Sequence, residues 1–264
     1  MVIMETTIDW TTWQKSHWQA WLEKQVGLRR QVFLADPDEM ASAFNRERES
    51  ARDYYGRELL ELLQNADDAG AEQDQSNRVL IQLENDTLYV ANTGQPFSPA
   101  GVKSLMVSNN SPKQLSRTRF IGYKGLGFRS VLGWASKIAI LSANLEIGFA
   151  EEEAIRIGEE IYRQHEGIRK LVDGFLDRTK TFPIATLSFP FWINMDSIND
   201  KKLSDMIRRC KSIREEGFDT CIGFLLRNPT NTREKVVSQI SSLGKELLIF
   251  CLASGKMGQL EDIT

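Results

Sequence analysis

Between Arg57 and Gly70 the chain reads RELLELLQNADDAG, and its apolar positions recur at helical spacing. Leu59, Leu62, Leu63 and Ala66 form one stripe, and Glu58, Glu61, Asn65 and Asp68 form a second, polar and acidic one. The spacing predicts a helix that packs on a core along one side. Similar patterns predict helices upstream. Residues 9–26 carry Trp10, Trp13, Trp18 and Trp21 broadly on one side, which suits core packing, a strap across the domain, or a partner-binding helix. Asp36 is a good N-cap before Pro37, and an Arg- and Glu-rich helix then runs through Met40 and Phe44 toward a break at Gly56.

Alternation takes over downstream. Arg78–Glu84 and Thr87–Ala91 read as strands joined by a hairpin turn at Asn85-Asp86, and NTGQPFS (92–98) follows as a loop. A short helical pattern from residue 99 gives way to SNNSPKQLSRTR (108–119), a solvated loop, which leads into FIGYKGLGFRSVLGW (120–134) and a helical segment from Phe128. Lys137–Ser142, Thr186–Trp192 and Thr220–Leu226 read as strands, Glu151–Arg178 as a charged helical insertion, and a helix begins at Arg233. Glu246–Ala253 is apolar enough to pack under the sheet. This order predicts an α+β protein: a two-layer α/β sandwich whose mixed, mostly antiparallel sheet carries helices on one face. Residues 1–55 read as an N-terminal helical extension and 56–264 as the main domain, with the insertion around 151–178.

Composition narrows the function classes. A net charge of −3 over 264 residues gives no drive toward nucleic acid or anionic membrane. No apolar run approaches the length that spans a bilayer, and the N-terminus has no signal-peptide pattern. Cys210, Cys221 and Cys251 are too widely spaced for a disulfide framework or zinc site, and His17 and His165 have no metal-ligand neighbours. A cytoplasmic location is expected. The chain ends after GQLEDIT, and a fragment or an N-terminal module of something longer is expected.

Two stretches carry candidate chemistry. Glu61 and Asn65, at i and i+4, place a carboxylate one turn from a carboxamide; the amide oxygen suits a hard cation and the carboxylate can orient or deprotonate a water. The same Glu61 sits four residues after Arg57, so a solvated ion pair also fits. Gly122, Gly125 and Gly127 lead into the segment at Phe128, where free backbone N–H groups would admit a phosphate. Their spacing is neither that of a dinucleotide fold nor that of a P-loop, and flexible glycines at a turn fit equally.

Taken together, ELLQNADDAG (61–70), NTGQPF (92–97) and IGYKGLGFRSV (121–131) resemble the N-box and the two glycine boxes of the GHKL ATP-binding module, the Bergerat fold. The pairing of ELLQNADDA with GLGFRSV is closest to the sacsin-type branch. The resemblance covers residues 50–192 well and the C-terminal strands and helix loosely, and leaves out the tryptophan-rich N-terminus. It implies ATP and Mg²⁺ as cofactors, with Asn65 as metal ligand and Glu61 as the base for the attacking water. Gly122, Gly125, Leu126, Gly127 and Phe128 would offer N–H groups to the phosphates. Asp68 and Gly94 belong to the boxes, and Lys113 and Lys124 would reach the phosphates from the lid side. Asn92 stands where the family has an aspartate that reads the adenine amino group, so the acceptor keeps its oxygen and loses its full charge. Thr186 resembles the family's late threonine. The implied function is slow, Mg²⁺-dependent ATP hydrolysis that drives a conformational switch, with an ATP-promoted homodimer and a protein client. An ATP-sensing module with little turnover is the alternative. Histidine-kinase phosphotransfer fits least, since those N-boxes usually lack the glutamate four residues before the asparagine and neither histidine lies in an acceptor helix.

Overall fold

The computed structural model describes residues 9–71, 78–107, 127–254 and 260–263, and for 71, 127, 244–254 and 260–263 the backbone alone. The tryptophan segment begins as a 3₁₀ turn, Trp10–Thr12, capped by Asp9. Trp13 is extended, and α1 (Lys15–Ala35) starts only after Gln14, whose backbone N–H donates to His17 Nδ1 at 3.2 Å. The helix expected over 9–26 is therefore a turn followed by a longer helix. Asp36 separates α1 from α2 (Pro37–Asp53) because the residue before a proline is pushed out of the helical region; it is extended and caps Asp38 N. Gly56, at φ +84°, turns the chain into α3 (Glu58–Ala71).

The hairpin of β1 (Val79–Glu84) and β2 (Thr87–Asn92) turns at Asn85, which has positive φ. Ser98 caps α4 (Pro99–Met106), accepting from Gly101 N at 3.1 Å. A 3₁₀ segment, Gly127–Gly133, takes the place of the helix expected from Phe128 and leads into β3 (Ala135–Ser142). An unexpected strand, β4 (Leu145–Ala150), returns antiparallel to it. The charged insertion is two helices, α5 (Glu151–Gln164) and α6 (Glu166–Thr179), parted at His165, which caps the second. Of the strand expected over Thr186–Trp192, only β5 (Phe191–Trp192) pairs, and Thr186–Ser188 is a 3₁₀ turn. After α7 (Lys201–Glu215) come β6 (Thr220–Leu226), α8 (Pro229–Ser254) and β7 (Leu260–Ile263). The expected packing of 246–253 falls on side chains outside the described residues.

The strands form one sheet in the order β5-β4-β3-β6-β2-β1-β7. Each described pairing is antiparallel except β1 with β7. The α+β class and the mixed, mostly antiparallel sheet are as the sequence predicted. Alternation in β6 divides the core. Ile222, Phe224 and Leu226 join Leu59, Leu62 and Leu63 of α3, Leu105 of α4 and Trp18 of α1. Cys221 and Leu225 point the other way, onto Leu203, Met206, Ile207 and Cys210 of α7. Most helices thus share one face, and α7 covers the second face, where the sequence placed none. The apolar period of α7 explains it: each such side chain gains about 1.5–3 kcal/mol on burial. A third cluster joins Phe33, Met40 and Ala43 to Ala154, Ile161, Ile168, Val172 and Phe189, so α2 shares a core with α5 and α6.

Candidate functional site

On α3 the polar stripe turns inward. Glu58 is buried and accepts from Gln239 Nε2 of α8 at 2.6 Å, while Gln239 Oε1 accepts from Leu59 N at 3.1 Å. Asn65 and Asp68 are partly buried, and Asp67 is the exposed residue of this turn. Glu61 is 14% exposed and lies 3.9 Å from the well-exposed Arg57. Burial raises the Glu61 carboxyl above its ordinary value, and the Arg57 charge only partly opposes this. The expected ion pair with Arg57 is thus present, but the stripe that carries Glu61 is not a solvated face.

Beside α3 lies a cavity of about 490 Å³. Leu62, Ala66, Val90, Phe97, Leu105, Phe128 and Ile222 give it apolar walls, and Asn65, Asn92 and Thr220 bring polar groups. Asn92 and Thr220 are register partners on β2 and β6. Asn92 Nδ2 donates to Thr93 O at 2.9 Å, which leaves Oδ1 as its acceptor. Thr220 Oγ1 lies 2.6 Å from Ser142 Oγ, which also accepts from Phe97 N at 2.9 Å. This hydroxyl pair ties the loop 95–98 to the sheet floor.

Gly94 fastens the site and does not line it. Its φ is +115°, and a Cβ there would sit 2.6 Å from Ala69 O. The close approach lets Gln95 N donate to Ala69 O at 2.9 Å, and Gly94 N donates to Asp219 Oδ2 at 2.9 Å. The loop thereby joins the end of α3 to the start of β6.

The remaining site expectations divide. Asn65, Asn92 and Phe128 line the cavity; Glu61, Asp68, Gly94 and Thr186 do not. Glu61 is one helical turn before Asn65. Thr186 lies in its 3₁₀ turn, where its N–H donates to Glu47 Oε1 at 2.7 Å. The threonine at the cavity is Thr220, and strand pairing, which the sequence does not disclose, puts it there. Lys113, Gly122, Lys124, Gly125 and Leu126 lie outside the described residues, and Gly127 opens the 3₁₀ segment before Phe128.

Behind the cavity runs a buried polar network that the sequence reading missed. Arg129, 1% exposed, donates to Ser104 O and Leu105 O at 3.1 and 3.0 Å, closing the end of α4. Glu47 of α2 accepts from Thr186 N and Leu187 N and feels the Arg129 charge. Burial nonetheless pushes its carboxyl up to about 7. Arg29 of α1 pairs with Glu39 at 3.1 Å and reaches Ser188 Oγ, which donates to Met106 O. The only sequence signal was a run of Arg and Glu on α2, which reads as a solvated face.

Trp10 also lines the cavity, beside Gln95 and Pro96. The same three residues bound a second cavity of about 370 Å³, closed by Trp13, Trp18 and Asn144.

Among the described residues no cluster of three or more His, Cys, Asp or Glu offers a metal cage. Asn65 lines the cavity and has one amide oxygen to offer a metal. That donor set fits Mg²⁺ arriving with phosphates and keeping its waters, and does not fit a metal held by protein alone. No helix among the described residues is long and apolar enough to cross a membrane. Compared with protein-family models and with curated proteins, the chain matches none.

Proposed function

We propose that this protein binds ATP with Mg²⁺ and hydrolyses it slowly, using the cycle as a conformational switch in the manner of the GHKL module. The observation that carries the reading is the inward turn of the α3 stripe, which sets Asn65 on the cavity whose floor bears Asn92 and Thr220. The order of the three boxes supports it, as does a cavity volume within the range of small-molecule sites. Asn92 Oδ1 accepts from the adenine amino group and the Thr220 hydroxyl supports that edge, while Val90, Ile222 and Leu62 enclose the base. Asn65 Oδ1 is the ligand for Mg²⁺, which when bound supplies charge neutralisation on the phosphates. The backbone at Gly127 and Phe128 offers N–H groups to them. Glu61 takes the proton of the attacking water, and its raised carboxyl pKa makes it a better base than an exposed glutamate.

ATP-promoted homodimerisation, a protein client and a reducing, cytoplasmic setting belong to the same proposal. Two free buried thiols, Cys210 and Cys221, are consistent with the last. One observation favours the alternative of an ATP-sensing module: Glu61 does not itself line the cavity. Calorimetric titration with ATP and Mg²⁺, followed by steady-state phosphate release, tests both. Binding with release that Glu61→Ala abolishes supports the ATPase, binding without release supports the sensor, and no binding removes both.

A further inference from the structure

Resting on the ATP reading, we propose that Trp10 is a base-contacting residue: its indole forms the aromatic wall on which the purine of the bound nucleotide packs. Trp10 lies outside all three boxes, yet it lines the 490 Å³ cavity together with Asn92 and Thr220. With Gln95 and Pro96 it separates that cavity from the 370 Å³ one. A purine needs polar partners along one edge and apolar surface against its faces. Asn92 and Thr220 supply the edge, and Trp10 supplies a broad π surface.

The wall is built into the fold. Asp9 caps the turn that carries Trp10, accepting from Thr11 N at 3.1 Å. The Trp10 ring meets Trp18 edge-on at a centroid distance of 6.3 Å, and Trp18 is fully within the core. Asn144 Nδ2 donates to Trp13 O at 2.9 Å and Lys15 pairs with Glu146, so the chain just after the turn is pinned to the β3–β4 hairpin at two points. The Asn92 acceptor carries no full charge, so contact with the face of the base takes a larger share of the recognition. Such stacking is worth about 5- to 150-fold in affinity per base.

Adenosine isolates the base end, since it has no phosphates. On the full chain, Trp10→Ala is expected to weaken adenosine and ATP–Mg²⁺ by the same factor, about 5- to 150-fold by calorimetry. Trp21→Ala, which lines neither cavity, is expected to leave both unchanged. Wild-type adenosine affinity in Trp10→Ala, or a loss confined to ATP, overturns the proposal while leaving the nucleotide reading in place. A wild-type protein that binds neither ligand overturns both. Should Trp10→Ala fail to fold, the conservative variants decide. The change in tryptophan emission on adding adenosine should shrink in Trp10→Phe and persist in Trp21→Phe; an equal change in both sinks the idea.

Discussion

Asn92 on β2 and Thr220 on β6 face one another in register across the two antiparallel strands, and both line the cavity. Thr220→Val is therefore expected to weaken adenosine binding by about 2- to 12-fold, the worth of one net hydrogen bond. Thr186→Val, in its turn beside Glu47, is expected to leave it unchanged. A loss for Thr186→Val alone, measured by calorimetry, would return the role to Thr186.

Asn65→Ala is expected to abolish ATP–Mg²⁺ binding and to spare adenosine, because the role proposed for Asn65 is at the metal and not at the base. Equal affinity of wild type and variant for ATP–Mg²⁺ would remove Asn65 from the site.

Glu61→Ala should keep ATP affinity and lose turnover by about 10²- to 10⁴-fold, the usual share of a general base. Loss of the 3.9 Å contact with the exposed Arg57 does nothing of that size. In the wild type the rate should fall as pH drops through the Glu61 pKa, because the base must be ionised. Burial raises that pKa, so the fall begins at a higher pH than for an ordinary glutamate. A pH-independent rate, or equal phosphate release from the two proteins, contradicts the assignment.

Gly94→Ala is expected to destabilise the fold by on the order of 1–3 kcal/mol, since the residue sits at φ +115° with Ala69 O 2.6 Å from its would-be Cβ. Gly27→Ala, in the interior of α1 with nothing within 4 Å, should instead stabilise by about 0.4–1 kcal/mol. Thermal melting of the two variants should move in opposite directions; parallel shifts would mean that the Gly94 contact is relaxed elsewhere.

Glu47 titrates at about 7 in the folded protein, against an ordinary value of 4.5. Between those values the folded protein holds a proton that the unfolded chain has released, so stability falls as pH rises through this window. Taken to completion, the loss is about 3 kcal/mol, on top of the slopes of all other groups. Glu47→Gln removes this part. Urea midpoints from pH 4.5 to 7.5 should fall more steeply for the wild type, and identical slopes would show that Glu47 stays ionised.

Much of this architecture was readable wherever one face of an element meets the core. The stripe of Leu59, Leu62, Leu63 and Ala66, the Asn85 turn and the alternation in Thr220–Leu226 each encode a local period that the fold keeps. β4 was overlooked although Leu145, Ile147 and Phe149 alternate with Glu146 and Gly148 at strand spacing. A Cβ at Gly148 would meet the tip of the Phe191 ring, which arrives from a distant part of the chain and would have to shift. α7 was hidden by its charge, although Leu203, Met206, Ile207, Cys210 and Ile213 keep helical spacing. In the site, Asn65 and Asn92 followed from their boxes. Thr220 and Trp10 did not, because their places depend on strand order and on where the N-terminal turn docks.

That strand order also dictates when the site can come into being. The hairpins β1–β2 and β3–β4 each close locally, but the sheet joins them only through β6, which is inserted between β2 and β3. At a synthesis rate of about 5–20 residues per second, a ribosome that has finished Asn92 needs on the order of 10 s to reach Thr220. Until then the nascent chain carries two half-sheets with unpaired inner edges, the kind of surface that pairs with other chains. The Asn92–Thr220 floor of the cavity does not yet exist, so nothing bound there can stabilise this stage. A ligand of this cavity can therefore stabilise only the finished sheet.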